Sequence, residues 1–410
     1  MTVGNRHIMV QTAPRLFSLI TLVVAWTLMP MAGLHASGIE YRGNISLQAQ
    51  GFMQSPQHTA DHTINTSLSS EIELYRGFDT GYNSGLIFTP FLRVDQNDDE
   101  RTQADIRELY YLMAGDTWEV RAGISRIFWG VAESRNVVDI INQTDQIEGV
   151  LSDAKLGQPM INVTSVRDWG NVDVFILPGF RERTFAGDEG RPRLPFTIDT
   201  DNALYESSDE DQHVDFALRY STVVDVLDIG VSVFDGTSRE PLFVPGPAGL
   251  QPLYYQVTQV GIDIQATLES WLLKLESVHR SGNLITDHAE LVTGFEYSFY
   301  GVNESNLDIG VVAEYLWDER KRDATQTFQN DMLIGLRFAL NDEQSTEALI
   351  GAVVDLDGQG NTFTAEASRR INDRVTFSAE LFIQEDTDND GIATAFGKED
   401  FAQIELSYFF

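Results

Sequence analysis

The chain has 410 residues, no cysteine, 62 acidic and 28 basic side chains, and a formal charge of −34. That acid excess excludes the basic surface on which nucleic-acid phosphates bind. The missing cysteines exclude a disulfide framework, a Cys-ligated zinc and a lipid-modified cysteine. Length alone allows two or three domains, but one β-barrel also reaches this size.

At the N-terminus Arg6, His7 and Arg15 precede the apolar run Leu16–Met29, followed by Pro30 and small residues at Ala36 and Ser37. The run is shorter than the roughly 20 residues a membrane-spanning helix needs. Its layout is that of a secretory signal peptide, so residues 1–36 are expected to be removed and 37–410 to form a single barrel. A retained membrane anchor is the rival reading.

From residue 39 onward the chain alternates. Ile39, Tyr41, Gly43, Ile45, Leu47 and Ala49 are apolar or small, while Glu40, Arg42, Asn44, Ser46, Gln48 and Gln50 are polar. Successive strand residues face opposite ways, so this strand lies between two solvents. Eighteen such segments follow one another, near 39–50, 64–75, 82–95, 104–114, 118–128, 158–168, 171–180, 212–220, 226–235, 254–268, 271–281, 288–300, 306–318, 328–340, 346–357, 361–371, 374–385 and 400–410. A soluble sandwich or β-helix also alternates. Here, however, large aromatics occupy the apolar faces and charges and glycines the polar ones. That is a greasy exterior around a wet interior. The predicted fold is all-β, a transmembrane antiparallel up-and-down β-barrel of about eighteen strands, or sixteen.

The connections alternate too. Every second one is short, as at Gly115–Thr117, Trp169–Gly170 and Asn372–Asp373. The long ones, such as Trp129–Gly157 and Phe180–Asp211, fall between them. Short periplasmic turns and long external loops are the outer-membrane rule.

The stretch 129–157 breaks the rhythm after the fifth strand. Trp129 and Gly130 are expected to end that strand at the membrane interface. Val137, Val138, Ile140, Ile141 and Ile147 have roughly helical spacing, so a short packed helix is expected. Glu133, Asp139, Asp145 and Glu148 would then project into the channel, with an external lid as the alternative. Arg93, Arg107, Arg121 and Arg219 occupy lumen-facing positions on the wall, with Asp95, Asp105 and Glu119 interleaved. In the second half the lumen positions lean acidic, among them Glu276, Glu290, Glu314, Glu366 and Glu380. Such charges either set a field across an eyelet or pair with neighbouring strands. The acid excess favours cations.

Two further motifs carry chemistry. His279 and Ser281 of "VHRSGN" share the lipid face at the outer end of the eleventh strand. They resemble the His-x-Ser pair of outer-membrane phospholipases and lipid A deacylases, which implies a hydroxyl nucleophile activated by His. The pattern there continues Ser-Asn-Gly, whereas here it is Ser281-Gly282-Asn283. "DTDNDG" resembles the start of a calcium loop, with Asp386, Asp388 and Asp390 as oxygen donors. Position 12 is Gly397, with Glu399 two residues later, and a solvated acidic turn is the plainer reading.

The C-terminal "IELSYFF" resembles the terminal aromatic signature of Gram-negative outer-membrane proteins, implying that the insertion machinery reads Phe410. The architecture resembles general and substrate-specific porins, in which the loop after the fifth strand folds into the lumen. "GISRIFWGVAES" and "NVVDIINQTD" resemble uncharacterised porin-like outer-membrane families. The first strand begins soon after the signal segment, leaving no room for the plug of TonB-dependent transporters. The resemblance implies a cell outer-membrane channel for passive diffusion of small hydrophilic solutes or ions. It further implies no cofactor and no enzymatic activity. The implied partners are membrane lipid, lipopolysaccharide and small solutes, and the implied assembly, by analogy, is a homotrimer. A lipid-active hydrolase at His279/Ser281 and a structural or adhesive barrel are the alternatives.

Overall fold

The period-two rhythm resolves into strands joined edge to edge. The computed structural model describes residues 38–56, 62–149, 154–194, 196–247, 249–321, 324, 328–358, 360–385 and 397–410. Residues 1–36, expected from the sequence to be a signal segment, and the candidate metal ligands Asp386, Asp388 and Asp390 lie outside the described residues.

The first strands are β1 (Ile39–Phe52), β2 (Ile64–Asp79), β3 (Asn83–Asp95), β4 (Gln103–Ala114), β5 (Trp118–Ser125), β6 (Gln158–Arg167) and β7 (Gly170–Pro178). Then come β8 (Leu204–Tyr205), β9 (Val214–Val224), β10 (Leu227–Thr237), β11 (Leu242–Pro245), β12 (Leu250–Tyr254) and β13 (Gln256–Leu268). The last are β14 (Trp271–Ser281), β15 (His288–Phe299), β16 (Asp308–Asp318), β17 (Asn330–Ala339), β18 (Glu347–Asp355), β19 (Asn361–Asn372), β20 (Val375–Glu385) and β21 (Phe401–Phe409). Eighteen of them form one antiparallel sheet, closed because β1 pairs with both β2 and β21. Closure removes the sheet edge, the condition for a sheet in hydrocarbon. The short strands β8, β11 and β12 make a separate sheet within the long connections. They are too short for alternation to announce them.

Register fixes the two faces. Leu47 lies between Leu68 and Leu406, and Gln48 between Ser67 and Glu405. Leu47 and Leu406 are 56% and 47% exposed, while Gln48 is 5% exposed. The apolar face is therefore outside and the polar face inside, as the alternation predicts. The short turns, such as 115–117 and 269–270, gather at one end, and 126–157 and 179–213 at the other.

Two departures shape the interior. First, the β3–β4 register shifts between Thr89 and Pro90: Thr89 faces Glu108, but Pro90 faces Ile106. Arg107 is the extra residue of a β-bulge, so Arg107 and Glu108 both serve the lumen. Second, the inner wall is not wholly polar. Val278, Val292, Val312, Leu316, Leu333 and Val353 alternate with inward charges on β14–β18 and are buried in one apolar cluster. Val137, Val138, Ile140 and Ile141 from the 126–157 connection belong to the same cluster. The inner wall is dry where that connection lies on it.

Candidate functional site

The connection after β5 is held by its own ends and by the far wall. The side-chain amide of Asn142 donates to the carbonyls of Ser125 (2.9 Å) and Leu156 (2.8 Å), and its oxygen accepts from Ile127 N (2.8 Å). Beyond this clasp the chain reaches β14–β17. The amides of Val131 and Ala132 donate to one oxygen of Glu276 at 2.6 and 2.8 Å, and Val138 N to the other at 3.3 Å. The amides of Glu133 and Ser134 donate one each to the two oxygens of Glu314 at 2.8 Å. Arg135 pairs with Glu290 at 2.7 Å, and Arg337 with Glu133 at 2.6 Å. Around the closed sheet β5 is fifth and β16 thirteenth, so these contacts lie nearly opposite the strand the segment leaves.

These bonds correct the expected helix. Among its described residues the segment has no α-helix, only a 3-10 turn at Gln146–Glu148. Amides 131–134 are given to wall carboxylates and so are not available to carbonyls four residues back. The aliphatic spacing reflects packing on the wall instead. Trp129 is corrected too. It is not at the interface but buried, with its ring 5.7 Å from Phe175 and the Arg219 guanidinium 5.2 Å above it.

The returning half meets β3 and β4. Arg93 donates through Nε and Nη2 to both oxygens of Glu148, at 3.0 and 2.6 Å. Arg107 Nη2 lies 2.6 Å from Asp145, whose other oxygen accepts from Thr184 Oγ1 at 2.6 Å. Of the four acids placed on this segment, Asp139, Asp145 and Glu148 are buried in ion pairs, Asp139 with Lys155 at 3.2 Å. Glu133 keeps a quarter of its side-chain surface.

The other two wall arginines do not touch the acids of this segment. Arg121 pairs with Glu119 on its own strand at 3.4 Å and covers the Tyr110 ring. Arg219 on β9 grips Asp263 on β13 with two bonds of 2.7 Å, reaching across β10. Gly230 on β10 makes this possible. A Cβ there would stand 2.2 Å from Arg219 Nη2 and 2.6 Å from Asp263 Oδ1. Sequence reasoning missed Asn142, Lys274 and Arg337. It placed Glu276 and Glu314 on the inner wall, but their partners are backbone amides, which leave no mark in a sequence.

A second segment, 179–213, also runs inward. Arg181 reaches Asp105 at 2.8 Å, and Gly187 N donates to Asp98. Arg191 is buried against Glu399 at 2.8 Å and also donates to the carbonyls of His62, Gln54 and Lys398. It thereby ties the connections on either side of the β1–β21 seam. Between the first segment and residues 238–240 lies a cavity of about 260 Å³, lined by Arg135, Lys155, Arg183, Arg239 and Arg280 with Glu240 and Asp139. Burial works against the charge on Glu240. The guanidiniums of Arg280 and Arg135 overcome it and hold this carboxyl well below the usual range.

His279 and Ser281 share the outer face, and His279 is exposed. Among the described residues no hydrogen bond joins them, and no group of three His, Cys, Asp or Glu side chains is placed to hold a metal.

No protein-family model matches the chain, and no curated protein does. Solved structures match over almost its whole length. OccD3 (OpdP) of Pseudomonas aeruginosa is similar with a TM-score of 0.55 at 10% identity, covering 91% of each chain. OccAB3 of Acinetobacter baumannii gives 0.53 at 7% identity over 90% of this chain and 99% of its own. A BenF-like porin from Pseudomonas fluorescens gives 0.51 at 9% identity over 90% and 98%. The chain has the fold of outer-membrane porins. At such identities the likeness concerns the fold alone.

Proposed function

We propose that the protein is an outer-membrane channel for passive diffusion of small hydrophilic solutes or ions, narrowed by residues 129–157. The observation that carries this reading is the set of five bonds from amides 131–134 and 138 to Glu276 and Glu314. A segment bonded to the far wall occupies cross-section that a solute must pass. The fold supports an aqueous lumen, since a sheet of this many strands is too wide for side chains to fill. Filtering is then by size and by the charges left facing water, Glu133 and Arg337 among them. Overall acid excess favours cations. On this reading the protein is not an enzyme, and small solutes and membrane lipid are its partners.

Conductance in planar bilayers tests it. The wild type should give single-channel steps with a cation-leaning reversal potential in a salt gradient. Removing residues 133–148 should raise conductance and reduce selectivity. Absence of steps in the wild type would sink the channel reading. Unchanged conductance after the deletion would sink the role of the segment.

A further inference from the structure

Glu276 and Glu314 are buried on the inner wall; among the described residues no ion pair reaches Glu276, and Glu314 has one long one, to Lys274 at 3.7 Å. Each is solvated chiefly by backbone amides of the crossing segment, through bonds of 2.6 to 2.8 Å, with Val138 N adding a bond of 3.3 Å to Glu276. Ser134 Oγ adds a further bond of 2.6 Å to Glu314. Amide bonds to an ionised carboxylate are roughly twice as strong as those to a neutral oxygen. The amides themselves have no helix or sheet to return to. The segment and the two carboxylates therefore satisfy one another, and removing either charge leaves the other side short of partners.

We propose that Glu276 and Glu314 are the positioning residues of the constriction. As carboxylates they latch residues 131–138 across the lumen, and loss of their charge releases the segment and widens the passage. This rests on the channel reading above. It goes further by naming what sets the aperture and by making the aperture depend on proton concentration.

The surrounding charges shape the response. Asp263 is the register partner of Glu276 and is itself held by Arg219. Lys274 stands between Glu133 and Glu314, at 3.6 and 3.7 Å. Arg337 joins Glu133 to Glu296. The residues facing Glu314 on either side, Gly294 and Leu333, bring no charge. Lys274, Glu133, Glu296 and Arg337 thus form a second, basic-mediated hold on the same segment.

The chain has no cysteine, so a single disulfide can be introduced unambiguously. A Cβ on Gly261 would lie 3.3 Å from Val138 Cγ1. That is close to the Cβ-to-sulfur separation across a disulfide, and so suits V138C with G261C. The experiment measures single-channel conductance from neutral pH down to about pH 4, where carboxylates protonate. The wild type should open to at least about twice its neutral conductance as the latch is lost. The E276Q/E314Q protein should be wide already at neutral pH and should show no further acid step. In V138C/G261C the reduced form should respond to acid and the oxidised form should not. The proposal fails if E276Q/E314Q matches the wild type in both conductance and acid response. It fails equally if the oxidised and reduced tether respond alike, a comparison that keeps both carboxylates and stands even if the double variant does not fold. A wild type that conducts but shows no acid step overturns the latch alone. A wild type that never conducts overturns the channel reading with it.

Discussion

Asp145 and Arg107 lie 2.6 Å apart, their side chains 0% and 3% exposed. Arg107 is the bulged residue of β4, and Asp145 sits where the crossing segment returns to the wall. Removing one partner of a buried pair costs about 3 kcal/mol, because the other is left charged and dry. Asp105, 3.1 Å from Arg107, moderates the loss. D145A should therefore loosen the returning half without unfolding the barrel. Proteolysis of 146–157 in the folded protein should accelerate, while resistance of the barrel to denaturation in detergent stays near wild type.

The pair formed by Arg219 and Asp263 depends on a missing side chain between them. G230A places a methyl 2.2 Å from Arg219 Nη2. It should break the pair and cost about 2 kcal/mol, the size of a charge-assisted bond. D263A should cost about as much, and the two changes together little more than either alone, since both remove one interaction. Urea unfolding of the refolded barrel measures all three. Full additivity would separate Gly230 from the pair.

Asp98 lies in the 96–102 connection, outside the spanning strands, with Gly187 and Gly190 against it. Burial pushes its carboxyl up to about 6, outweighing the amides of Glu100 and Gly187 that act the other way. The docked form therefore holds its proton to higher pH than an undocked aspartate, near 4. Docking of the 187–190 turn is strongest below that value, weakens as pH rises to about 6, and changes no further above. Amide protection at Gly187 and Gly190, corrected for intrinsic exchange, should fall across this window. In D98N it should be flat.

Arg191 and Glu399 are each 1% exposed, and the guanidinium also covers the Phe52 ring at 4.1 Å. R191M keeps bulk but strands the carboxylate, at a cost of about 3 kcal/mol. Adding E399Q should recover a good part of it. Heat-induced mobility shift on a gel reads the effect. A single variant as stable as wild type would show that the β1–β21 seam does not need this tie.

The strands were legible because one rule acts on every residue of them. Lipid outside and water inside force a period of two, and Leu47 and Gln48 obey it. The rule weakens where the inside is dry. Val312 and Leu316 read as breaks in an otherwise polar inner face, and only the packed segment 137–141 explains them. The bulge left a trace: Arg107 and Glu108 are adjacent charges in "DIRELYY", a phase slip that one face cannot hold. The position of 129–157 after the fifth strand was readable from the parity of connections. Its lack of a helix was not, because aliphatic spacing reports burial and not the hydrogen bonds of the backbone. The inward run of 179–213 was also hidden. Arg191 looks like any loop arginine until Glu399, distant in sequence, is brought beside it.

The two crossing segments have a mechanical meaning. A hollow tube resists bending well but is easily squashed out of round. The first segment runs from β5 to Glu276 and Glu314 on β14 and β16, and the second from β7 to the β1–β21 seam at Arg191. Both act as spokes along chords of the wall. A barrel with spokes keeps its round section when the surrounding membrane presses on it unevenly. It does so only while both ends of each spoke are fastened; on the proposed channel reading, rigidity of the tube and width of its passage then become one property controlled at the same few bonds.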